Sequence, residues 1–232
     1  MKPNIKINKH IGIKNVRIYG LKASKIASGY PMTIGEPKDF EDIKPKDNKI
    51  IEKIDHRCDI LSGCDTGEGD DNFLKGIIVQ FDLRYNSFFT PQLQRYNFTD
   101  IVSSQSKMHK LTRIQGIKNS CNSYVADKIC QEIDKLINLY NTWTDTENPA
   151  FILFFGEPRT FRTKRQLFYC ILSNLPQGFE QWMRVSTNYL QLKTIYKQRK
   201  KHRLYDWEDF CEFIELLPES NLIISNYAKR KQ

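Results

Sequence analysis

Two arginines and an amide share one face of a helix that the sequence predicts over residues 187–203. At 100° per residue, this face contains Asn188, Leu192, Ile195, Tyr196, Arg199 and Arg203, whereas Lys193, Lys197 and Lys201 point away from it. A charge buried without a partner is strongly unfavourable, so each guanidinium needs one. An internal carboxylate, exposure of the guanidinium to solvent and a bound anion all satisfy this need, and two arginines beside an amide favour the anion.

A second polar cluster follows a predicted core strand in the middle of the chain. Residues 77–83 have the β-branched and aromatic composition of a buried strand. Beyond Pro91, residues 103–110 bring hydroxyls, amides and cations together in one polar run. We predict that one wall of an anion site is formed by Ser104, Gln105, Ser106 and Lys107.

The cysteines favour neither a disulfide framework nor a metal centre. Six cysteines are scattered along the chain without a Cys-x-x-Cys pair, so reduced thiols are the simplest interpretation. His56, Cys58 and Cys64 can be arranged around a metal ion, but no fourth ligand follows at a suitable spacing. The acidic run at 62–71 lacks the regular alternation of a calcium loop and is interpreted as a polar turn region. We therefore predict no metal site.

The charge of the chain favours anionic partners and gives no sign of a membrane. The net charge is +9, from 36 basic and 27 acidic residues, which attracts nucleotides, phosphates and nucleic acid alike. No apolar run approaches the roughly 20 residues that cross a bilayer, and the first residues lack the apolar stretch of a secretory signal. The sequence thus predicts a cytoplasmic protein that binds no membrane.

The helices and strands that must position these residues are predicted to form one domain over residues 1–232. A long polar loop is predicted at 28–71, where glycine, proline and charged residues show little periodicity. Strands are predicted at 12–19 and at 151–155, the second of them buried. Helices are predicted at 121–140, at 167–175 and at 207–216. The predicted N-cap of the first helix is Ser120 or Asn122, and that of the last is Asp206. Residues 229–232 are predicted to be a frayed tail.

The second half of the chain resembles the flavin-dependent thymidylate synthases, the ThyX family. In that family a Leu-Pro is followed at fixed spacing by the Asn that opens a long helix, then by a Leu and an Arg. Leu175-Pro176, Asn188, Leu192 and Arg199 match this pattern without a gap, and His202 and Trp207-Glu208 follow at similar positions.

Upstream, residues 92–97 resemble the family's Gln-x-x-Arg-His-Arg, and residues 103–107 its substrate-wrapping loop Asn-Glu-x-Ser-x-Arg. The departures are specific. Tyr96-Asn97 replaces the His-Arg pair, Ser103 the acidic position of the loop and Lys107 its final Arg. Three further family positions read Leu172, Leu190 and Lys75-Gly76, and residues 142–165 look like an insertion. This divergence favours a remote, phage-encoded branch of the family.

The resemblance implies an α+β fold with a central mixed or antiparallel sheet flanked by long helices. It also implies FAD as cofactor, NADPH and methylenetetrahydrofolate as co-substrates, a pyrimidine nucleotide as substrate and a homotetramer. Carried over position by position, it makes Arg199 the catalytic residue and assigns substrate binding to Arg199 together with Gln92, Ser104, Gln105, Ser106 and Lys107. It assigns flavin binding to Arg95, Tyr96, Asn97, Asn188, His202 and Arg203.

Three functions remain open at this point. The first is a ThyX-like enzyme acting at C5 of deoxyuridylate or a related pyrimidine nucleotide. The second keeps the fold and the nucleotide but has lost the reaction, because fold does not determine function. The third is a nucleic-acid-binding module, suggested by the basic charge and by the interleaving of Tyr, Phe and Arg. The resemblance places the enzyme first.

Overall fold

The computed structural model describes residues 1–37, 48–65, 68–144 and 148–224. Within these ranges the strands are β1 (Ile7–Asn8), β2 (Gly12–Tyr19), β3 (Ile78–Asn86), β4 (Asp100–Ser104), β5 (Ala150–Phe154), β6 (Glu157–Phe161) and β7 (Glu180–Asn188). The α-helices are α1 (Leu21–Ala27), α2 (Asn48–Ser62), α3 (Thr90–Leu93), α4 (Lys107–Lys110), α5 (Asp127–Thr142), α6 (Lys164–Ser173), α7 (Tyr189–Arg199) and α8 (Tyr205–Glu215). None of the helices in these ranges has both the length and the apolar composition needed to cross a bilayer.

A five-stranded antiparallel sheet with the strand order β1-β2-β3-β7-β4 is the centre of the fold. Side chains of the neighbouring strands β3 and β7 alternate in burial, so that Val79, Phe81 and Leu83 of β3 and Met183 and Val185 of β7 are buried. β5 and β6 form a separate antiparallel hairpin. The predicted α+β class, with a central sheet flanked by helices, is confirmed.

Contacts divide the described residues into two compact units. The first contains those of Met1–Leu83, Gln92–Ser103 and Met183–Gln232, and the second those of Arg84–Pro91 and Ser104–Trp182. In the first unit the ring of Phe81 packs 4.8 Å from Phe213 and 6.0 Å from Phe210, centroid to centroid, which seats α8 on the sheet. In the second unit α5 and α6 bury Ile133, Leu136 and Ile171. The single domain over 1–232 and the insertion at 142–165 stay predictions.

The predicted loop at 28–71 is wrong where α2 occupies residues 48–62. Ile51, Ile54, Cys58 and Leu61 recur at the spacing of one helix face, but the charged residues between them masked this period. Residues 38–47 and 66–67 of that segment lie outside the described residues, as does the tail at 229–232.

Four predicted helix starts were also misplaced, and the helix predicted at 167–175 is α6, which begins at Lys164. α5 begins at Asp127 after Ala126, because Asn122 instead accepts a hydrogen bond from the Tyr124 N–H (3.2 Å). α8 begins at Tyr205 after Leu204, so Asp206 lies in its first turn and is not its cap. The predicted helix at 187–203 covers only 189–199, because the residues before it continue β7.

The strand predicted as buried at 151–155 is β5, and its outer face is exposed: 62% of Phe151 and 54% of Leu153 are accessible. Its two-stranded sheet covers the core with one face only. A continuous apolar run therefore does not distinguish a strand buried on both faces from one buried on a single face.

Lys193, predicted to point into solvent, is buried. Its ammonium group donates to Asp71 Oδ2 (2.6 Å), to the Ser62 carbonyl (2.8 Å) and to the Cys64 carbonyl (3.0 Å), and both charged side chains are 3% exposed. These acceptors use all three donors of the ammonium group, which compensates its burial. The interaction ties α7 to the end of α2 and to the 3-10 helix Asp70–Gly76.

We predict that Lys193→Ala lowers the free energy of unfolding by about 3–5 kcal/mol, because it leaves the Asp71 carboxylate buried without its cation. Urea denaturation measures the loss, and the double variant Lys193→Met, Asp71→Leu should recover much of it. The control is Lys197→Ala on the same helix, whose exposed pair with Asp65 (3.5 Å) should contribute less than about 1 kcal/mol. Equal losses in the two single variants would contradict the assignment.

Candidate functional site

Arg199 is the last residue of α7, and the two ends of this helix carry the polar groups of interest. The helix starts where the Asn188 side chain accepts a hydrogen bond from the Gln191 N–H (2.8 Å), an N-cap that terminates β7. Leu192, Ile195 and Tyr196 are buried and hold the helix in the first unit. The Arg199 side chain, half-buried, is thus presented from a fixed backbone.

The guanidinium of Arg199 is held by neutral polar groups. Its Nε donates to the Tyr96 hydroxyl (2.7 Å), and its Nη1 donates to Gln92 Oε1 (3.4 Å). The Tyr96 hydroxyl in turn donates to Gln198 Oε1 (3.0 Å), and Gln92 Oε1 also accepts from the indole N–H of Trp207 (2.9 Å). The structure therefore brings together three residues predicted for the site: Gln92, Tyr96 and Arg199.

Two aromatic rings complete the surroundings of this guanidinium. Its central carbon lies 4.7 Å from the ring centroid of Trp207 and 5.6 Å from that of Tyr96, and the two rings meet edge to face. Both contacts are within cation–π range. They fix the plane of the guanidinium without neutralising its charge. We call Gln92, Tyr96, Arg199 and Trp207 the arginine cage.

The charge of Arg199 is not compensated within the described part of the chain, where no carboxylate pairs with it. Two of the five N–H donors of its guanidinium are used by Tyr96 and Gln92, so three are available to a ligand. The internal carboxylate left open by the sequence is thereby excluded for the described residues. A planar, oriented cation with free donors suits a phosphate or a pair of carbonyl oxygens.

His202 lies beside the arginine cage. Its backbone N–H donates to the Arg199 carbonyl (2.9 Å), and its ring stands 6.3 Å from Trp207, edge to face. Its Nδ1 accepts from the Leu204 N–H (3.2 Å), so a proton on the neutral ring is carried by Nε2. Burial, together with the positive charges of Arg199 and Arg203, lowers the pKa of His202 below its ordinary value. Both effects favour the neutral imidazole.

A cavity of about 500 Å³ opens at the other end of α7. Its walls are formed by Gly69, Asp71, Asn72, Lys75, Phe98, Asn188, Leu190, Gln191 and Thr194. The volume is within the range of small-molecule sites, roughly 300–1,000 Å³. Asn188, one of the predicted flavin-binding residues, thus lines this cavity.

Side-chain amides of this cavity are oriented by the backbone. Asn188 Oδ1 caps α7, and Gln191 Oε1 accepts from the Phe98 N–H (3.3 Å). Because both side-chain carbonyl oxygens accept backbone hydrogen bonds, the NH2 groups of Asn188 and Gln191 are the groups that can donate to a ligand. Exposed Lys75 adds a cation, and the Phe98 ring, 62% exposed, adds an aromatic wall. The cavity can therefore take an aromatic ligand that carries carbonyl or phosphate oxygens.

The four residues of the predicted anion wall lie in the second unit and have separate partners there. Gln105 continues the strand: its N–H donates to the Trp182 carbonyl (2.9 Å), and its carbonyl accepts from Gln181 Nε2 (2.6 Å). Lys107 Nζ donates to Ser87 Oγ (3.2 Å), and Ser106 precedes α4. Burial raises the pKa of Tyr85, and a hydrogen bond from Ser104 opposes this shift. A shared anion site for these residues stays a prediction.

The remaining predicted residues, Arg95, Asn97 and Arg203, are exposed on the first unit. Sequence reasoning missed Trp207 and Gln198 as members of the site. A signal for Trp207 existed, since a tryptophan in the first turn of an amphipathic helix buries its ring and needs an acceptor for its indole N–H. No comparable signal marks Phe98, because the chain brings it to α7 from a distant position, and Lys75 was noted only as a departure from the family pattern.

The fold of this chain is similar to that of the flavin-dependent thymidylate synthases. No protein-family model matches the sequence, and no curated protein sequence does. Among solved structures, ThyX from Helicobacter pylori complexed with FAD and dUMP matches with a TM-score of 0.60 at 12% identity, over 90% of this chain and 98% of that one. A second structure of the same Helicobacter pylori enzyme with FAD and dUMP gives 0.59 at 12% identity, over 92% and 99%. Identity this low shows a shared fold alone.

We predict that the pKa of His202 is below 6.5 and that Arg199→Gln moves it upward, because one of the two cations beside the imidazole is removed. The upward change should recover only part of the shift, since burial is its larger cause. An NMR titration of the ring protons measures both values, with Lys197→Gln as control. A pKa that is unchanged in Arg199→Gln would mean that the guanidinium charge is neutralised in the parent.

Proposed function

We propose that this protein is a ThyX-like, flavin-dependent enzyme that modifies C5 of deoxyuridylate or a related pyrimidine nucleotide. The observation that carries the proposal is the guanidinium of Arg199, which no carboxylate of the described residues compensates and which the arginine cage holds on a fold shared with ThyX. The two Helicobacter pylori structures hold FAD and dUMP, a flavin and a pyrimidine nucleotide. FAD as cofactor and a pyrimidine nucleotide as substrate are therefore the first ligands to test.

The residues of the cavity at Asn188 fit a flavin in their chemistry. The NH2 groups of Asn188 and Gln191 can donate to ring carbonyls, Lys75 to a phosphate, and Phe98 can stack on an aromatic ring. A reduced flavin supplies hydride when bound, and the protein contributes binding and orientation. NADPH and methylenetetrahydrofolate as co-substrates, and a homotetramer, belong to the same proposal.

In this proposal Arg199 binds the nucleotide. A fork of N–H donors aimed at a pyrimidine carbonyl would stabilise negative charge that develops on the ring, and one aimed at the phosphate would hold the nucleotide in place. The cage keeps the fork oriented before the nucleotide arrives, which lowers the entropic cost of binding. Neutral His202, with its proton on Nε2, is a donor beside the same cluster. These residues bind, orient and polarise, and none acts as a nucleophile.

One observation favours a second function, a nucleotide-binding protein that has lost the reaction. Tyr96 occupies the position of the family's His, and its hydroxyl accepts a hydrogen bond from the Nε–H of Arg199. A donor engaged in this way is not available to the nucleotide. The two functions differ in the flavin, which only the enzyme requires.

We predict that FAD added to the purified protein loses fluorescence and raises the melting temperature, because a ligand that binds only the folded state stabilises it. Lys75→Ala should weaken FAD binding by about 10-fold through the loss of a charge-assisted hydrogen bond. Lys53→Ala, an exposed lysine of α2, is the control. Absence of both quenching and stabilisation contradicts the enzyme, and binding of deoxyuridylate without FAD then supports the second function.

We predict that Arg199→Ala weakens deoxyuridylate binding by roughly 10- to 100-fold, the effect of a lost charge-assisted hydrogen bond. Arg199→Lys should recover only part of this affinity, because an ammonium cannot reproduce a planar fork. Isothermal titration calorimetry measures the affinities, with exposed Lys201→Ala as the control for a general charge effect. Equal affinities of Arg199→Ala and the parent would place the nucleotide elsewhere.

A further inference from the structure

The β5-β6 hairpin of the second unit presents an apolar face to solvent. Phe151 pairs with Thr160 and Leu153 with Pro158, so these four side chains share one face of the two-stranded sheet. The opposite face carries Phe154 and Phe161 into the core. Single exposed apolar residues are common, but Phe151 and Leu153 are two neighbours on the same strand, 62% and 54% exposed.

The tip of this hairpin holds an aromatic residue in an unfavourable backbone conformation. Phe155 has φ of 50° and Gly156 has φ of 84°, the two positive values of a type I′ turn. Asn or Gly is preferred at the first of these positions, and a bulky residue there costs roughly 1–2 kcal/mol. The Phe155 ring is 49% exposed, so burial offsets this cost only in part. Strain of this kind at an exposed position points to a function.

A buried carboxylate fixes the tip in place. The Phe155 N–H donates to Glu132 Oε2 (2.9 Å), and Glu132 Oε1 lies 2.7 Å from Lys135 Nζ and 3.0 Å from Lys128 Nζ. The hydrogen bonds from Lys135, from Phe155 and from Lys128 lower the pKa of Glu132 to about 2. The carboxylate therefore stays ionised, and it anchors the backbone of Phe155 to α5.

Cations follow the hairpin directly. Residues 157–165 contain Arg159, Arg162, Lys164 and Arg165 against one acid, Glu157, which pairs with Arg159 (2.8 Å). On α6 the Arg165 guanidinium lies 5.9 Å from the ring centroid of Tyr169, a ring that is 56% exposed. The hairpin and α6 thus expose both aromatic rings and positive charges, a combination that complements an anionic polymer whose bases can stack.

We propose that the hairpin and the outer face of α6 bind single-stranded nucleic acid, with Phe151 and Phe155 as stacking platforms for bases and Arg162 and Arg165 as phosphate contacts. This function goes beyond the proposed enzyme and uses none of its residues. A single strand fits better than a duplex, because only an unpaired base offers its face to a phenylalanine ring. The cations track the backbone and need no sequence, so binding depends on salt and tolerates different sequences.

Fluorescence anisotropy of a labelled oligothymidylate of about 16 nucleotides, the upper end of usual single-strand site sizes, tests the proposal on the full chain. Phe155→Asn should weaken binding by about 5- to 100-fold, the range for one lost base stack. Asn is the preferred residue of this turn, so the variant should be at least as stable as the parent, which excludes unfolding as the cause. Tyr19→Ser, an exposed tyrosine of β2 in the first unit, is the matched control and should leave the affinity unchanged.

The salt dependence tests the phosphate contacts separately. In Arg162→Gln and Arg165→Gln the slope of log affinity against log salt should fall by about 0.7 each, the value for one lost contact to a single strand. Equal affinities of Phe155→Asn and the parent would overturn the proposal. So would loss of oligonucleotide binding in Arg199→Ala but not in Phe155→Asn, or binding to phosphatidylserine vesicles without binding to the oligonucleotide.

Discussion

The buried ammonium of Lys193 is the interaction on which the arrangement of the first unit depends. It has one carboxylate and two backbone carbonyls as partners, and these come from the 3-10 helix before β3 and from the end of α2. An ammonium buried in this way is tolerated only if all its donors are met at once, so it requires one relative position of the three segments. That position orients α7, which carries both groups of candidate functional residues.

The two ends of α7 carry different groups of candidate functional residues. Asn188 and Arg199 are separated by about 16 Å along the helix axis, from the rise of about 1.5 Å per residue. One end opens on a cavity of amide donors, a cation and an aromatic ring, and the other holds a guanidinium between two rings. One rigid helix therefore holds the two groups of candidate residues at a fixed separation.

The second unit stabilises a charge in the opposite way. Glu132 is buried beside two lysines whose side chains are about half exposed or more, whereas Arg199 has aromatic rings and neutral oxygens around it. A carboxylate surrounded by cations and a backbone N–H is complete and needs no ligand. A guanidinium surrounded by neutral groups keeps its charge and its outer donors. The contrast separates a structural ion cluster from a site that can bind an anion.

The sequence by itself determined the strands at 12–19 and 77–83 and placed Arg199 on an apolar helix face, because local period and composition record these features. The cost of burying charge required a partner for this guanidinium but did not say which one, and the α+β class followed from the resemblance to the ThyX family. The similarity to solved ThyX structures confirmed the fold expected from a few spaced residues. Only the tertiary structure decided that Lys193 is buried and that residues 48–62 form a helix. It also decided that Trp207 and Gln92 meet at Arg199. The physical reason is that a side chain's partner comes from a distant segment, and no local pattern records which distant group will meet it.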